Sequence, residues 1–171
     1  MALDPCENDD AIWKIVFTPP TTIEFEDTTL RSLNNIPGPI TIESVVTFSE
    51  LNSQLSSFAT ITLQLWLAHP MNGNCEIRLY GPDGSYIMIS NQRGGNNANV
   101  FNGTIFSDSA SNLVSTYSFS NNIVASPLQP EQPFSSFTSK NPNGQWKLWI
   151  NDTIGGNNGI LSEVKLKIQG K

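Results

Sequence analysis

Hydrophobic and polar residues alternate with a period of two along most of this chain. Residues 59–68 show the pattern best: Ile61, Leu63, Leu65 and Leu67 share one parity, and Thr60, Thr62, Gln64 and Trp66 the other. Such alternation sets one row of side chains on a buried sheet face and the next row outward. It also predicts strands at residues 40–48, with Ile40, Ile42 and Val46 turned inward, and at 74–80, where Cys75, Ile77 and Leu79 oppose Glu76 and Arg78. Gly81-Pro82-Asp83-Gly84 makes a turn, because proline presets one φ and glycine relieves another, and Tyr86 to Ile89 returns as the hairpin partner. Further strands are expected at 113–119, at Trp146 to Ile150 and at Leu161 to Ile168, the last with Val164, Leu166 and Ile168 on one face. No segment holds a helical period over ten residues. The glycines and prolines fall between the apolar runs: Asn141-Pro142-Asn143-Gly144 and Gly155-Gly156-Asn157-Asn158-Gly159 are turns, and Pro127, Pro130 and Pro133 mark an irregular connection. Many short strands with turns at this spacing predict an all-β, jelly-roll-like antiparallel sandwich.

Residues 1–35 differ from the rest. They hold many of the acids, a Pro19-Pro20 break and two short apolar stretches, Ile12 to Phe17 and Ile23 with Phe25. The expectation is an extended N-terminal arm carrying one or two short strands, followed by a single sandwich domain over residues 36–171; the arm is too short to bury a core alone.

Composition narrows the function. At 171 residues the chain has room for one ordinary domain. Only 14% of its residues are charged, against roughly a quarter in typical soluble domains, and Asn, Ser, Thr and Gly take their place. The net charge is −6 and no basic run occurs, which argues against a nucleic-acid partner, since a phosphate backbone needs clustered positive charge. No apolar run approaches the roughly 20 residues of a membrane span. After Met1 come Asp4, Glu7, Asp9 and Asp10, where a secretory signal would carry a positive charge and then an apolar run. Two cysteines and one histidine cannot build a zinc site. Cys75 reads either as a buried free thiol or as one half of a Cys6–Cys75 disulfide pinning the arm.

Between residues 78 and 110 the pattern becomes specific. The runs RLYGPDGS (78–85), ISNQRGG (89–95) and FNGTIFSDSA (101–110) resemble the P domain, or Homo B domain, of subtilisin-like proprotein convertases. PEQPFSSF (130–137), NGQWKLWINDT (143–153) and the Gly-rich turn and last strand at 155–168 resemble later segments of that family in the same order. Upstream, Ile36-Pro37 and the strand ending at His69 fit its opening, so the resemblance spans about residues 36–169. It implies a β-sandwich accessory domain, here without the protease domain. Several bacterial members bind calcium through acidic loops of this region. In this chain Asn74 and Cys75 follow His69 where the family has Asp and Leu, and Asn157 or Asn158 replaces another acid. The residues that would still offer oxygens to calcium are Asp108, with Thr104 beside it, and Asn74, Asn96 and Asn99.

His69 is the only histidine, so any serine or cysteine triad must use it. No G-x-S-x-G elbow is present, and a histidine before Pro70 at a strand end reads as structural. The expectation is therefore no enzyme. Arg93, before Gly94-Gly95, is expected to pair with a carboxylate such as Asp108. Trp146 and Trp149 are an odd number apart and must point to opposite faces. Trp149, Trp66, Trp13 and Phe17 are the candidate partner contacts, and a spare surface tryptophan would suit sugar or protein. Asn102-Gly-Thr and Asn151-Asp-Thr match the glycosylation sequon and, without an export signal, read as coincidence. Three functions remain. The first is a structural or attachment subunit of an extracellular or virion assembly, of the decoration or minor capsid type, docking through its arm to protein partners or to its own copies. The second is an accessory domain that stabilises a subtilisin-like convertase, and the third a carbohydrate-binding module.

Overall fold

A computed structural model describes residues 22–33, 39–46 and 59–169. Those residues form nine strands: β1 (Thr22–Asp27), β2 (Arg31–Leu33), β3 (Ile40–Val46), β4 (Thr60–Ala68), β5 (Cys75–Tyr80), β6 (Tyr86–Asn91), β7 (Phe101–Ser107), β8 (Gly144–Asp152) and β9 (Gly159–Gln169). One sheet has the order β1-β9-β4-β7, with β2 also on β9, and the other has the order β3-β8-β5-β6. All pairs between these strands are antiparallel, so the chain is an all-β sandwich.

The core lies between the sheets, and the period-two residues fill it. Ile61, Leu63, Leu65 and Leu67 of β4 are buried, as are Cys75, Ile77 and Leu79 of β5 and Val164, Leu166 and Ile168 of β9. Phe25, Leu63, Leu79, Trp146 and Leu166 meet in the gap between the layers. Trp146 is 1% exposed, while Trp149 lies half-buried on the outer face, as their odd spacing requires. Each such buried side chain contributes roughly 1.5–3 kcal/mol relative to leaving it exposed.

Two segments differ from expectation. Residues 113–119 form turns, not a strand, apart from an isolated bridge between Leu113 and Gln129. Their apolar side chains are used differently: Val114 is buried, and Tyr117 and Phe119 pack edge-on at 5.1 Å, with Phe119 also 5.7 Å from Phe101. Conversely, β7 is a strand that simple alternation does not reveal. Gly103, at φ +115, is the extra residue of a bulge between the pairs Leu65–Thr104 and Trp66–Asn102. The bulge shifts the phase, so Phe101, Thr104 and Phe106 are all buried.

Residues 22–33, the described part of the expected arm, lie in the first sheet. Ile23 pairs with Ile168 and Phe25 with Leu166, and Leu33 is fully buried. Trp13, Phe17 and Cys6 lie outside the described residues.

Candidate functional site

The two ends of β7 carry different chemistry. At its start, the turn at Asn72–Asn74 packs against the loop 92–99: the Asn72 N–H donates to the Asn97 carbonyl at 3.1 Å, and the Gly73 N–H to the Gly95 carbonyl at 2.9 Å. Asn72 is fully buried and its Oδ1 accepts from the Val100 N–H at 3.0 Å. Asn74 is also buried, and its carbonyl accepts both the N–H and the hydroxyl of Thr153. Asn99 sits at φ +58, where asparagine is tolerated better than most residues, and its amide donates to Asn122 at 2.9 Å. Asn96 is exposed in the same loop.

Asp108 lies past the far end of β7. Its two carboxylate oxygens each accept a backbone N–H at 2.8 Å, from Phe134 and from Ser135. The six residue steps of β7 at about 3.3 Å each put about 20 Å between this carboxylate and the Asn96–Asn99 loop. The Thr104 hydroxyl, between them, is buried and donates to the Val100 carbonyl at 3.0 Å. The five residues proposed from sequence as calcium ligands thus do not converge, and a calcium ion needs six to eight oxygens around one point. Among the described residues, no three His, Cys, Asp or Glu side chains are grouped to hold a metal ion.

Arg93 pairs with Glu131, not Asp108. Its Nε and Nη2 reach the two Glu131 oxygens at 2.8 and 3.3 Å, and Glu131 also accepts the Asn91 N–H at 2.7 Å. The next residue repeats the device: the Gln132 side-chain oxygen accepts the Met88 N–H at 2.7 Å, and its own N–H donates to the Met88 carbonyl at 2.9 Å. Residues 131–132 therefore occupy the outer edge of β6. Residues 126–128 do the same for β7, where Ser126 Oγ accepts the Ile105 N–H, the Leu128 N–H donates to the Ile105 carbonyl, and the Ser107 N–H donates to the Leu128 carbonyl. One irregular connection closes the edges of both sheets along that side.

His69 is fully buried. Its Nδ1 lies 2.7 Å from the Met71 carbonyl and 3.1 Å from the Met71 nitrogen, and its Nε2 lies 3.4 Å from a carboxylate oxygen of Asp152, also buried. The other Asp152 oxygen accepts the N–H groups of Ile154 and Gly155, shaping the turn between β8 and β9. A Cβ on Gly159 would collide with the imidazole ring. Both side chains are sealed from solvent, so the pair ties three chain segments together and cannot meet a substrate. Cys75 is a free thiol, also sealed, and burial and then the Asp152 charge push its ionisation well above the usual thiol range. Sequence reasoning gave His69 a loop-holding role, and its hydrogen bonds with Met71 are of that kind, but it did not find Asp152, whose only signal is its position at a strand end before a Gly-rich turn.

The outer faces of the sheets carry the remaining candidates. On the four-stranded sheet the Arg78 guanidinium lies 4.6 Å from the Trp149 ring centre and 5.0 Å from that of Tyr86, and Glu76 pairs with it. Lys147 Nζ stands 4.5 Å from the Tyr80 ring, and Tyr80 and Tyr86 are 5.1 Å apart. These rings already hold a cation each or share one. On the five-stranded sheet Trp66 is half-buried beside the Gly103 bulge, with Lys165 Nζ 5.5 Å from its ring. Val124 also borders the bulge, and Ile105 on β7 and Val124 are 38% and 42% exposed.

A family model described as the proprotein convertase P-domain matches residues 58–168. No curated protein matches the chain by sequence. Among solved structures, a serine protease of Aeromonas sobria in complex with its chaperone is similar at 11% identity and a TM-score of 0.46, over 89% of this chain and 27% of that one. The same protease crystallised alone gives 12% identity and a TM-score of 0.46, over 89% and 28%. The chain thus spans about a quarter of the length of those proteases.

Proposed function

Because the chain belongs to the proprotein convertase P-domain family, we propose that it is a non-catalytic accessory domain that packs against a subtilisin-like protease domain and stabilises it. The observation that carries this reading is the family match over residues 58–168, which takes in every strand from β4 to β9. The site chemistry agrees with it. The sole histidine is sealed in a structural pair, and Cys75 is sealed within the core. P domains occur in secreted proteases, so the working place of this chain would be extracellular.

The alternatives have less specific support. Docking of a virion or other assembly subunit through an N-terminal arm rested on residues 1–35, and residues 22–33 are engaged with β9 of their own sheet. Sugar stacking on Trp149 competes with the Arg78 guanidinium that already lies against the ring.

The test mixes the full chain with the subtilisin-like protease domain of the same organism and follows the half-life of peptidase activity on heating. The expected result is a 1:1 complex by light scattering and a half-life lengthened several-fold. An unchanged half-life with no complex overturns the proposal, and a homo-oligomer of the chain alone would return weight to an assembly role.

A further inference from the structure

The exposed apolar cluster on the five-stranded sheet contains a sequon. Asn102-Gly103-Thr104 lies on β7, and Asn102 pairs directly across from Trp66 of β4. Directly opposed residues of antiparallel strands project from the same face. Trp66 alternates with buried Leu65 and Leu67, and Asn102 with buried Phe101, so both side chains point outward. Asn102 is exposed, and no hydrogen bond holds its side-chain amide among the described residues. Gly103 has no side chain to separate the amide from the indole: a Cβ there would stand 3.7 Å from the Trp66 Nε1 and 3.9 Å from Val124. The bulge therefore leaves a shallow apolar floor of Trp66 and Val124, edged by Ile105 and by Lys165, whose Nζ stands 5.5 Å from the indole and is held there by Glu163 and Glu26, immediately beside an unencumbered acceptor amide.

We propose that Asn102 is an N-glycosylation site, and that the first N-acetylglucosamine of its glycan lies against Trp66 and covers this apolar floor. In the attachment step the Asn102 Nδ2 forms a bond to the anomeric carbon of a lipid-pyrophosphate-linked oligosaccharide. The bond from that carbon to the pyrophosphate oxygen breaks, the lipid pyrophosphate leaves, and one amide proton passes to solvent. A sugar ring has an apolar face of axial C–H groups that suits an indole, and a bulky hydrated glycan would make an otherwise exposed patch soluble. The second sequon differs at its asparagine, whereas the threonine hydroxyl is hydrogen-bonded in both, that of Thr104 to the Val100 carbonyl. Asn151 is half-buried on the inner strand β8, paired with Glu76 of β5; Asp152 beside it is committed to His69; and the Thr153 hydroxyl is bonded to Asn74 and Gln92. The assignment rests on the extracellular working place proposed above, though not on the identity of the partner, and the leader supplied in the experiment keeps the two separable.

The experiment secretes the full chain from a eukaryotic host behind a cleavable leader and measures intact mass before and after peptide N-glycosidase. One glycan is expected, absent from Asn102→Gln and retained in Asn151→Gln. No enzyme-sensitive mass, or a mass that Asn102→Gln leaves unchanged, overturns the site. Melting temperatures then test the contact. The glycosylated form should melt higher than the Asn102→Gln protein by on the order of 2 °C, and Trp66→Ala should abolish that difference while Trp66→Tyr keeps most of it. An equal difference in all three backgrounds overturns the stacking on Trp66.

Discussion

His69 and Asp152 show how a residue type that suggests catalysis can serve structure alone. The imidazole closes the end of β4, braces against Gly159, and shares Asp152 with two backbone N–H groups of the next turn. Removing one member of a sealed polar pair leaves the other without its partner in a low-dielectric interior. His69→Ala is therefore expected to lower unfolding stability by about 3 kcal/mol, measured by urea titration; a cost below about 1 kcal/mol would show that the pair is dispensable. At this scale the sequence was partly legible. A lone histidine before Pro70 pointed to a loop-holding role, whereas Asp108 kept its importance and changed its partner. It had been expected beside Arg93, and it binds the N–H groups of Phe134 and Ser135, 26 and 27 residues away. Nothing local distinguishes a carboxylate that awaits a guanidinium from one that awaits a distant backbone.

The stretches with an unbroken alternation, β4, β5 and β9 from Val164 onward, were readable because every second side chain repeats one environment. β7 was not, because the Gly103 bulge inserts a residue and reverses the parity in mid-strand. Residues 113–119 misled in the opposite way: the run is apolar enough for a strand, but its rings pack on Phe101 from a set of turns. The connection 126–132 is where irregular sequence performs the most structural work. Its glutamate and glutamine oxygens imitate strand carbonyls along β6, which would otherwise offer free N–H groups to another molecule. The double substitution Glu131→Ala with Gln132→Ala should free that edge and release Arg93 from its ion pair. The expected outcome is concentration-dependent self-association by light scattering, with wild type staying at its own mass under the same conditions; identical profiles would mean that the backbone of the connection is a sufficient cover.

Across the whole molecule, acid stability should depend on a few carboxylates. Asp27 is held at a pKa of about 2, below its ordinary 3.8, first by its hydrogen bond to Arg31, which joins β1 to β2. Asp83 is likewise held at about 2, first by Ser85 and then by Lys140, and being more exposed it counts for less. A carboxyl whose pKa falls on folding adds stability that is complete above about 4 and disappears as pH falls towards 2. The melting temperature should therefore drop between pH 4 and 2, and Asp27→Asn should be less stable than wild type at pH 6 but converge with it near pH 2. Parallel curves for the two proteins would exclude Asp27 as a contributor.

The sequence by itself determined the class of fold and the family, because both reside in local patterns: a period of two, turn residues at fixed offsets, and short motifs in a fixed order. Tertiary structure alone decided which polar groups meet. The placement of Asp108 far from Asn96 and Asn99, the pairing of Arg93 with Glu131, the joining of Asp152 to His69, and the facing of Asn102 and Trp66 are all set by strand register and by a bulge. Register is a property of two chain segments at once, so one segment read alone cannot contain it.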